Sequence, residues 1–459
     1  MTGPFEAPRV IRSRRVLLKE GLESATVWLK GGLIESVQPY DVPLPEAGVL
    51  DVGDLLVTPG IVDSHVHINE PGRTEWEGFA SATQAAAAGG ITTVVDMPLN
   101  CIPATVNAAA AELKRASLSG QMHVNVAFWG GVVPGNTQEL KGLRDFGISG
   151  AKCFLCPSGV DEFPHVGRAE LDEAMPQLRA LDMTLLVHAE VPGPLEAAEA
   201  ALRTSAADPH KYDTYLRSRP PAAEDQAIAL IIELARKYHT RCHIVHLSSA
   251  SALPLIEAAQ ADGVAITAET CLHYLTFAAE DIGEGATQYK CAPPIRGREN
   301  REQLWRGLER GTISMVVSDH SPCTPALKRL EEGDFMGAWG GISSLQLGLS
   351  ALWTLCQARK LDIATLFRWN AEAPAQLAGL SKRKGKLVPG YDADLVIWDE
   401  KAQATVKAET IRHRHKLTPY AGLSLQGVVE KTVVMGRIAY SKDAGMAPVP
   451  VGQWLHAGR

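Results

Sequence analysis

The sequence predicts an α/β protein: a (β/α)8 barrel of the TIM type with a small β-sandwich domain built from both chain termini. Three observations predict it. Eight short, apolar, often β-branched stretches recur between residues 57 and 320, with helix-compatible segments between them. Histidines and one aspartate stand at the carboxyl ends of several of these stretches. Both flanks switch to short alternating patterns punctuated by turn residues.

The strand candidates lie at 57–67, 91–98, 123–133, 148–155, 184–190, 241–247, 264–271 and 313–320. Helical patterns separate them at 76–88, 106–116, 138–146, 167–180, 221–238, 250–261 and 299–310. Repeated strand–helix units mean parallel strands with helical crossovers, and eight of them close into a barrel rather than an open sheet. The flanks contribute strands at 10–11, 15–19, 24–30 and 32–37, then at 395–398 and 428–440. The expected division is 1–56 for the N-terminal part of the β domain, 57–380 for the barrel and 381–459 for the C-terminal part and a tail.

Composition bounds the function. The chain has 459 residues, 46% hydrophobic and 21% charged, so it can bury a large core. A net charge of −7 argues against a nucleic-acid groove or an anionic membrane as the main partner. No apolar run reaches the ~18 residues that would span a bilayer, and the N-terminus lacks the apolar core of a secretory signal. The 8 cysteines are scattered, which leads us to expect free thiols and a cytoplasmic protein. Cys153-x-x-Cys156 has no second pair at metal-site spacing and reads as buried or loop thiols.

The chemistry gathers at strand ends. The first strand closes on His65-Val66-His67, and alternate strand residues share a side, so both imidazoles face the barrel axis. The fifth closes on His188, the sixth on His246 and the eighth on Asp319. Taken singly each is weak. A lone histidine at a strand end is usually a hydrogen-bonded core residue, and an aspartate there often caps the next helix. Five such residues on the active face of one barrel point to a metal site. Lys152, at the end of the fourth strand, has two readings. Its ammonium pairs with a carboxylate away from the axis, or its neutral amine has reacted with carbon dioxide to give an anionic carbamate that bridges two metals. Of the remaining histidines, His243 reads as facing the helices and His273 as lying behind the site. His413 and His415 read as a solvated charge run, 412–416.

The run Pro59-Gly60-Ile61-Val62-Asp63-Ser64-His65-Val66-His67 and the later Gly390-Tyr391-Asp392-Ala393-Asp394-Leu395-Val396-Ile397-Trp398-Asp399 resemble those of the cyclic amidohydrolases, the family of dihydroorotases and hydantoinases. The resemblance covers about residues 10–440. In that family the lysine matching Lys152 is carbamylated and bridges two metals, so the resemblance selects the second reading. It implies one ion held by His65, His67 and Asp319, a second by His188 and His246, and carbamylated Lys152 between them. It also implies Asp319 as the proton shuttle and a homotetramer. Imidazole and carboxylate donors suit zinc, with cobalt, manganese and iron as alternatives.

Within the family, the segments 65–79, 96–105, 290–296, 318–323 and 338–342 are most similar to those of members that open the hydantoin ring of allantoin, a neutral ureide. Ser344 stands where glycine is expected, and Ala104 where proline is commoner. Asn69 carries much of the discrimination. Dihydroorotases resemble this pattern but place arginine there to pair with a substrate carboxylate, a bidentate task an asparagine cannot perform. The bland reading of Asn69 is a loop Asx turn. Asn69, Asn100, Cys291 and Ser321 are the expected substrate contacts. The alternatives are another cyclic amidase, dihydroorotase or hydantoinase, and a non-catalytic scaffold.

Overall fold

The computed structural model describes residues 3–457. All eight predicted barrel strands are present and mostly shorter than their apolar runs. They are Ile61–Val66, Ile91–Asp96, Asn125–Phe128 (resumed as Gly130–Gly131), Gly150–Phe154, Thr184–His188, Cys242–Ile244, Ile266–Cys271 and Met315–Val317. Every neighbouring pair is parallel. Parallel strands covered on both faces read as continuous apolar runs, because neither face meets water. The first three strands form one sheet and the remainder a second. The ring closes where Val66 bridges His320, with the His67 N–H donating to the His320 carbonyl at 2.8 Å.

The first predicted strand, 57–67, is two strands. Leu56–Pro59 pairs with Val10–Leu18 and with Leu395–Thr405 in the terminal sheet, and the barrel strand starts only at Ile61. Gly60 makes the transition. Its N–H donates to Asp394 O at 2.9 Å, and a Cβ there would meet Thr92 Oγ1 at 2.2 Å. No break in hydrophobicity marks this change of sheet, so the pattern reads straight through it.

Pro221–Tyr238 runs as predicted. Proline opens it, Ala227, Ile228, Ile231, Leu234 and Ala235 form its buried stripe, and His239 ends it with φ 54. Six helices lie outside the predicted segments: Pro192–Thr204 and Tyr212–Ser218 after the fifth barrel strand, Leu272–Thr276 after the seventh, and Gly348–Ala358, Ile363–Phe367 and Ala373–Leu377 after the eighth. No helix among the described residues is long and apolar enough to cross a membrane.

The termini build one nine-stranded sheet, in which Leu56–Pro59 joins the N-terminal strands to Leu395–Thr405 and the C-terminal ones. Its two halves close on a shared core that includes Ile11, Val27, Ile34, Val57, Leu395, Ile397 and Val433. The last residues leave this sheet and pack on the barrel, where the Leu455 N–H donates to Val126 O at 2.8 Å and that of Ala457 to Gly147 O at 2.9 Å.

Lys384 anchors the junction of the two parts, where Asp394 also accepts from Asn125 Nδ2 of the third barrel strand at 3.3 Å. Its fully buried ammonium lies 2.7 Å from Asp392 and 2.5 Å from Asp394. Lys384→Met should leave the buried Asp394 carboxylate without its cation, while Asp392 keeps Arg383 at 2.8 Å. Breaking a buried pair in this way costs about 3–5 kcal/mol, so urea denaturation should show at least the lower figure, and a loss under about 1 kcal/mol would mean that other groups solvate Asp394.

Candidate metal centre

Strand termination aims the functional side chains. His65 is the penultimate residue of its strand, among residues buried on both faces, and His246 and Asp319 stand two residues beyond theirs with φ of 40 and 43. That region is unfavourable for residues with a Cβ, and such strain concentrates at functional sites. The turns bring the side chains onto the barrel axis. His65, His67, Lys152, His188, His246 and Asp319 are all buried. All but His65 line a cavity of about 290 Å³ at the carboxyl ends of the strands, and His65 Nε2 lies 3.2 Å from two of the lining groups, Lys152 Nζ and Asp319 Oδ1.

Donor spacing tests whether these residues can hold metal. Two ligands on one tetrahedral ion, each ~2.0–2.1 Å from it, lie roughly 3.3 Å apart. His65 Nε2 and His67 Nε2 stand 3.2 and 3.6 Å from Asp319 Oδ1. His188 Nδ1 and His246 Nε2 are 3.0 Å apart. Lys152 Nζ is 3.2 Å from His65 Nε2, between the two groups. The set fits two ions and a bridging ligand.

Electrostatics favours the same use. Burial, reinforced by nearby cations, holds His67 and His246 well below the usual imidazole range, and burial lowers His188 as well. These rings are neutral at pH 7, as metal ligands must be. Burial pushes the Lys152 amine down to about 8, against the pull of Asp319 and Glu269. The neutral amine, the form that reacts with carbon dioxide, is therefore more available than on an exposed lysine.

Two carboxylates that the sequence reading missed fix the histidines. Glu269 accepts from His65 Nδ1, from His243 Nε2 at 3.1 Å and from the His246 N–H at 3.2 Å. Burial would raise its pKa, but His65 and His243 overcome this and hold it well below the carboxylate range. Glu190 faces His188 Nε2 at 2.7 Å and accepts both arms of Arg219, at 3.0 and 2.5 Å. Burial works against its ionisation too, yet Arg219 and His188 bring it down to about 2. A carboxylate on the far nitrogen fixes the tautomer and strengthens the ligand. Glu269→Gln should therefore weaken metal retention about 10- to 100-fold, measured by competition with a chelator. Unchanged retention would mean that His65 is held by packing alone.

Two histidine assignments change. His243 does not face the helices. It is fully buried between strands, with Nδ1 on Thr267 at 2.7 Å and Nε2 on Glu269. His413 is not solvated. It is fully buried, accepts from the Gln346 N–H at 3.0 Å and packs against the His320 ring. His320 accepts from the Ser344 N–H at 3.1 Å and meets Glu77 at 3.2 Å, and Glu77 also holds the Arg414 backbone at 3.0 Å. The segment read as a charge run thus braces the loop that carries Asp319. Ser344 has φ −148, so this position does not require glycine.

Asn100, Cys291 and Ser321 line the cavity. Asn100 Nδ2 is 3.4 Å from His67 Nδ1, and Ser321 Oγ donates to Asp319 Oδ1 at 2.7 Å. Asn69 differs. It is buried, has φ 68, gives its Nδ2 to Pro322 O at 3.3 Å and is absent from the cavity wall. The tight turn before Pro71 directs it under the loop that follows Asp319. His273 lies close to Cys271 and Asp319. All 8 cysteines are buried and free.

A (β/α)8 barrel with this donor set at its carboxyl face is built as a metal-dependent hydrolase. The chain belongs to the amidohydrolase family, whose pattern it matches over residues 56–439. It is 46% identical over 428 residues to the allantoinase of Streptomyces avermitilis, which covers 93% of this chain and 94% of that one. It is 44% identical to the allantoinase of Saccharomyces cerevisiae, over 88% of this chain and 87% of that one. With the mitochondrial allantoinase of Aquarana catesbeiana it shares 48% identity, over 81% of this chain and 76% of that one. Among solved structures, the L-hydantoinase (dihydropyrimidinase) from Arthrobacter aurescens superposes with a TM-score of 0.91 at 29% identity, covering 97% of this chain and 99% of that one.

Proposed function

We propose that this chain hydrolyses the hydantoin ring of allantoin, cutting a ring amide to give allantoate. The observation that carries this reading is its identity of 41% to 48% with relatives named allantoinase or probable allantoinase, over 81% to 97% of its length. The hydantoinase likeness fits a cyclic amide substrate at lower identity.

In this reading His65, His67 and Asp319 would hold one divalent ion and His188 and His246 the other, with carbamylated Lys152 as the ligand they would share. Divalent ions bound there would supply a water ionised at neutral pH and a polarised carbonyl. The Asp319 carboxylate, oriented by the Ser321 hydroxyl, takes the proton of the attacking water and delivers it to the departing ring nitrogen. An unprotonated amide nitrogen leaves poorly, so that delivery is essential. Asn100 steadies His67, and Asn69 sets the 319–323 loop rather than touching substrate. Zinc, a homotetramer and a cytoplasmic setting complete the proposal, the first supported by the donor chemistry and the last by the free thiols.

The test is turnover of allantoin, hydantoin and dihydroorotate by purified protein supplied with zinc or cobalt and bicarbonate. Allantoin should exceed the others in kcat/KM by ~10²-fold or more, the discrimination typical of a fitted pocket. A preference for hydantoin or dihydroorotate would overturn the assignment.

A further inference from the structure

The cavity wall carries three lysine or arginine side chains, Lys152, Arg219 and Lys290. Lys152 belongs to the metal centre, and Arg219 gives both arms to Glu190. Lys290 is different. It is 8% exposed, and its ammonium donates to two backbone carbonyls, Met336 O at 3.1 Å and Ala338 O at 2.5 Å. The Tyr215 ring lies below it, 4.8 Å away. Among the described residues no carboxylate lies within ion-pair distance of it. Its neighbour Lys328 is likewise buried and turned away from the cavity, donating to the carbonyls of Lys290, Trp339 and Gly341.

A buried ammonium without a counter-charge is costly, and it stays only where further acceptors complete its shell. Burial, with Lys328 and Arg219 nearby, lowers the Lys290 amine to about 7, and in its ammonium form it has three donors for two protein acceptors, Met336 O and Ala338 O. Its third N–H is left for whatever occupies the cavity that it lines. A carboxylate-bearing substrate would neutralise it, but the ligand proposed above is uncharged, so the partner must be a strong neutral acceptor. A urea carbonyl is the strongest such group on a ureide. The scissile carbonyl is committed to the metal centre, which leaves the second ring carbonyl, common to every hydantoin, and the ureido arm, which the bare ring lacks.

We propose that Lys290 is the specificity residue for that arm: its free N–H donates to the ureido oxygen of the bound substrate, so that the wall at Lys290, Met336 and Ala338 distinguishes a ureido-substituted hydantoin from the bare ring. The inference rests on the allantoin reading. A charge-assisted hydrogen bond of this kind is worth a factor of about ten or more in affinity.

Lys290→Met keeps the length and apolar stem but removes all three donors, and Lys290→Gln keeps a donor without the charge. The experiment measures kcat and KM for allantoin alongside the inhibition constant of unsubstituted hydantoin, which carries the ring without the arm. In Lys290→Met the KM for allantoin should rise at least about tenfold, with the hydantoin inhibition constant within about twofold of wild type and metal content unchanged. Lys290→Gln should fall between the two. Parallel weakening of allantoin and hydantoin would overturn the proposal, because a purely structural role in holding the 336–341 wall moves both. An unchanged KM for allantoin would overturn it as well. If wild type itself fails to hydrolyse allantoin, the fault lies with the substrate reading and is seen before any variant is made.

Discussion

Lys152→Ala should lose metal and activity together. The side chain is almost fully buried, sits 3.2 Å from His65 Nε2 and faces the same space as His188, His246 and Asp319. Without an anion from this position, the two ion sites share no ligand, and each falls short of the donors a divalent ion takes. The purified variant should contain well under half the metal of wild type. Losing the centre forfeits most of the ~10⁶-fold or greater acceleration that separates an enzyme from the uncatalysed reaction, so turnover should fall to background. Removing a buried amine does not leave a stranded charge, so the thermal transition should stay cooperative. Lys152→Met, which restores bulk without an amine, should be as inactive as the alanine variant. A short carboxylic acid in excess should return part of the activity to Lys152→Ala, which has room for it, and little to Lys152→Met. Two metals and near-normal turnover in Lys152→Ala would sink the carbamate.

The residues that this prediction uses were legible because barrel geometry converts sequence position into direction. A strand that ends in His-x-His sends both rings to one side, and strands ending in His188, His246 and Asp319 bring their side chains to the same axis without any knowledge of loop structure. The partners of those ligands were harder to see. Glu269 sits inside a short apolar run, Ile266–Cys271, where one acidic residue reads as tolerated. The available signal was that a carboxylate fully buried on an inner strand needs hydrogen-bond partners, and the two strands flanking the axis offered imidazoles. Glu190 lay two residues after His188 in plain view, but its cation, Arg219, comes from the end of an unanticipated helix, Tyr212–Ser218.

Polar segments misled in the opposite direction. Residues 412–416 are all basic, and composition alone assigns such a run to solvent. Glu77, 337 residues before Arg414, accepts the Arg414 backbone N–H and faces His320, against whose ring His413 packs, and burial of Glu77 is offset by His320, which brings its carboxyl down to about 2. That long-range pairing leaves no trace in local pattern. Asn69 illustrates a third limit. Its identity separates this chain from relatives with arginine at that place, yet the side chain points at Pro322 O. A residue can therefore mark a specificity class by shaping a loop rather than by touching the ligand.

Asp319→Asn should separate the chemistry of proton transfer from folding. The change is nearly isosteric, and the Ser321 hydroxyl, now 2.7 Å from Oδ1, can donate to an amide oxygen as well as to a carboxylate. The loop should keep its course, because Ser344, His320 and Glu77 hold it through groups that the substitution does not touch. What disappears is the ability to accept a proton from water and return it to the leaving nitrogen. Loss of a positioned general base costs at least ~10²-fold in turnover. A second loss follows on the side of His65 and His67, since an amide oxygen binds a divalent ion less strongly than the carboxylate whose oxygen stands 3.2 and 3.6 Å from those imidazoles. The two effects separate by measuring kcat at saturating zinc. The deficit that remains there belongs to proton transfer, and the part restored by metal belongs to ligation. Ser321→Ala should reduce kcat only a few-fold, since it loosens the carboxylate without removing it. If Asp319→Asn at full metal occupancy turns over allantoin within a few-fold of wild type, another group moves the proton. His273, buried close to Asp319 with neither ring nitrogen partnered, would then be the first residue to replace.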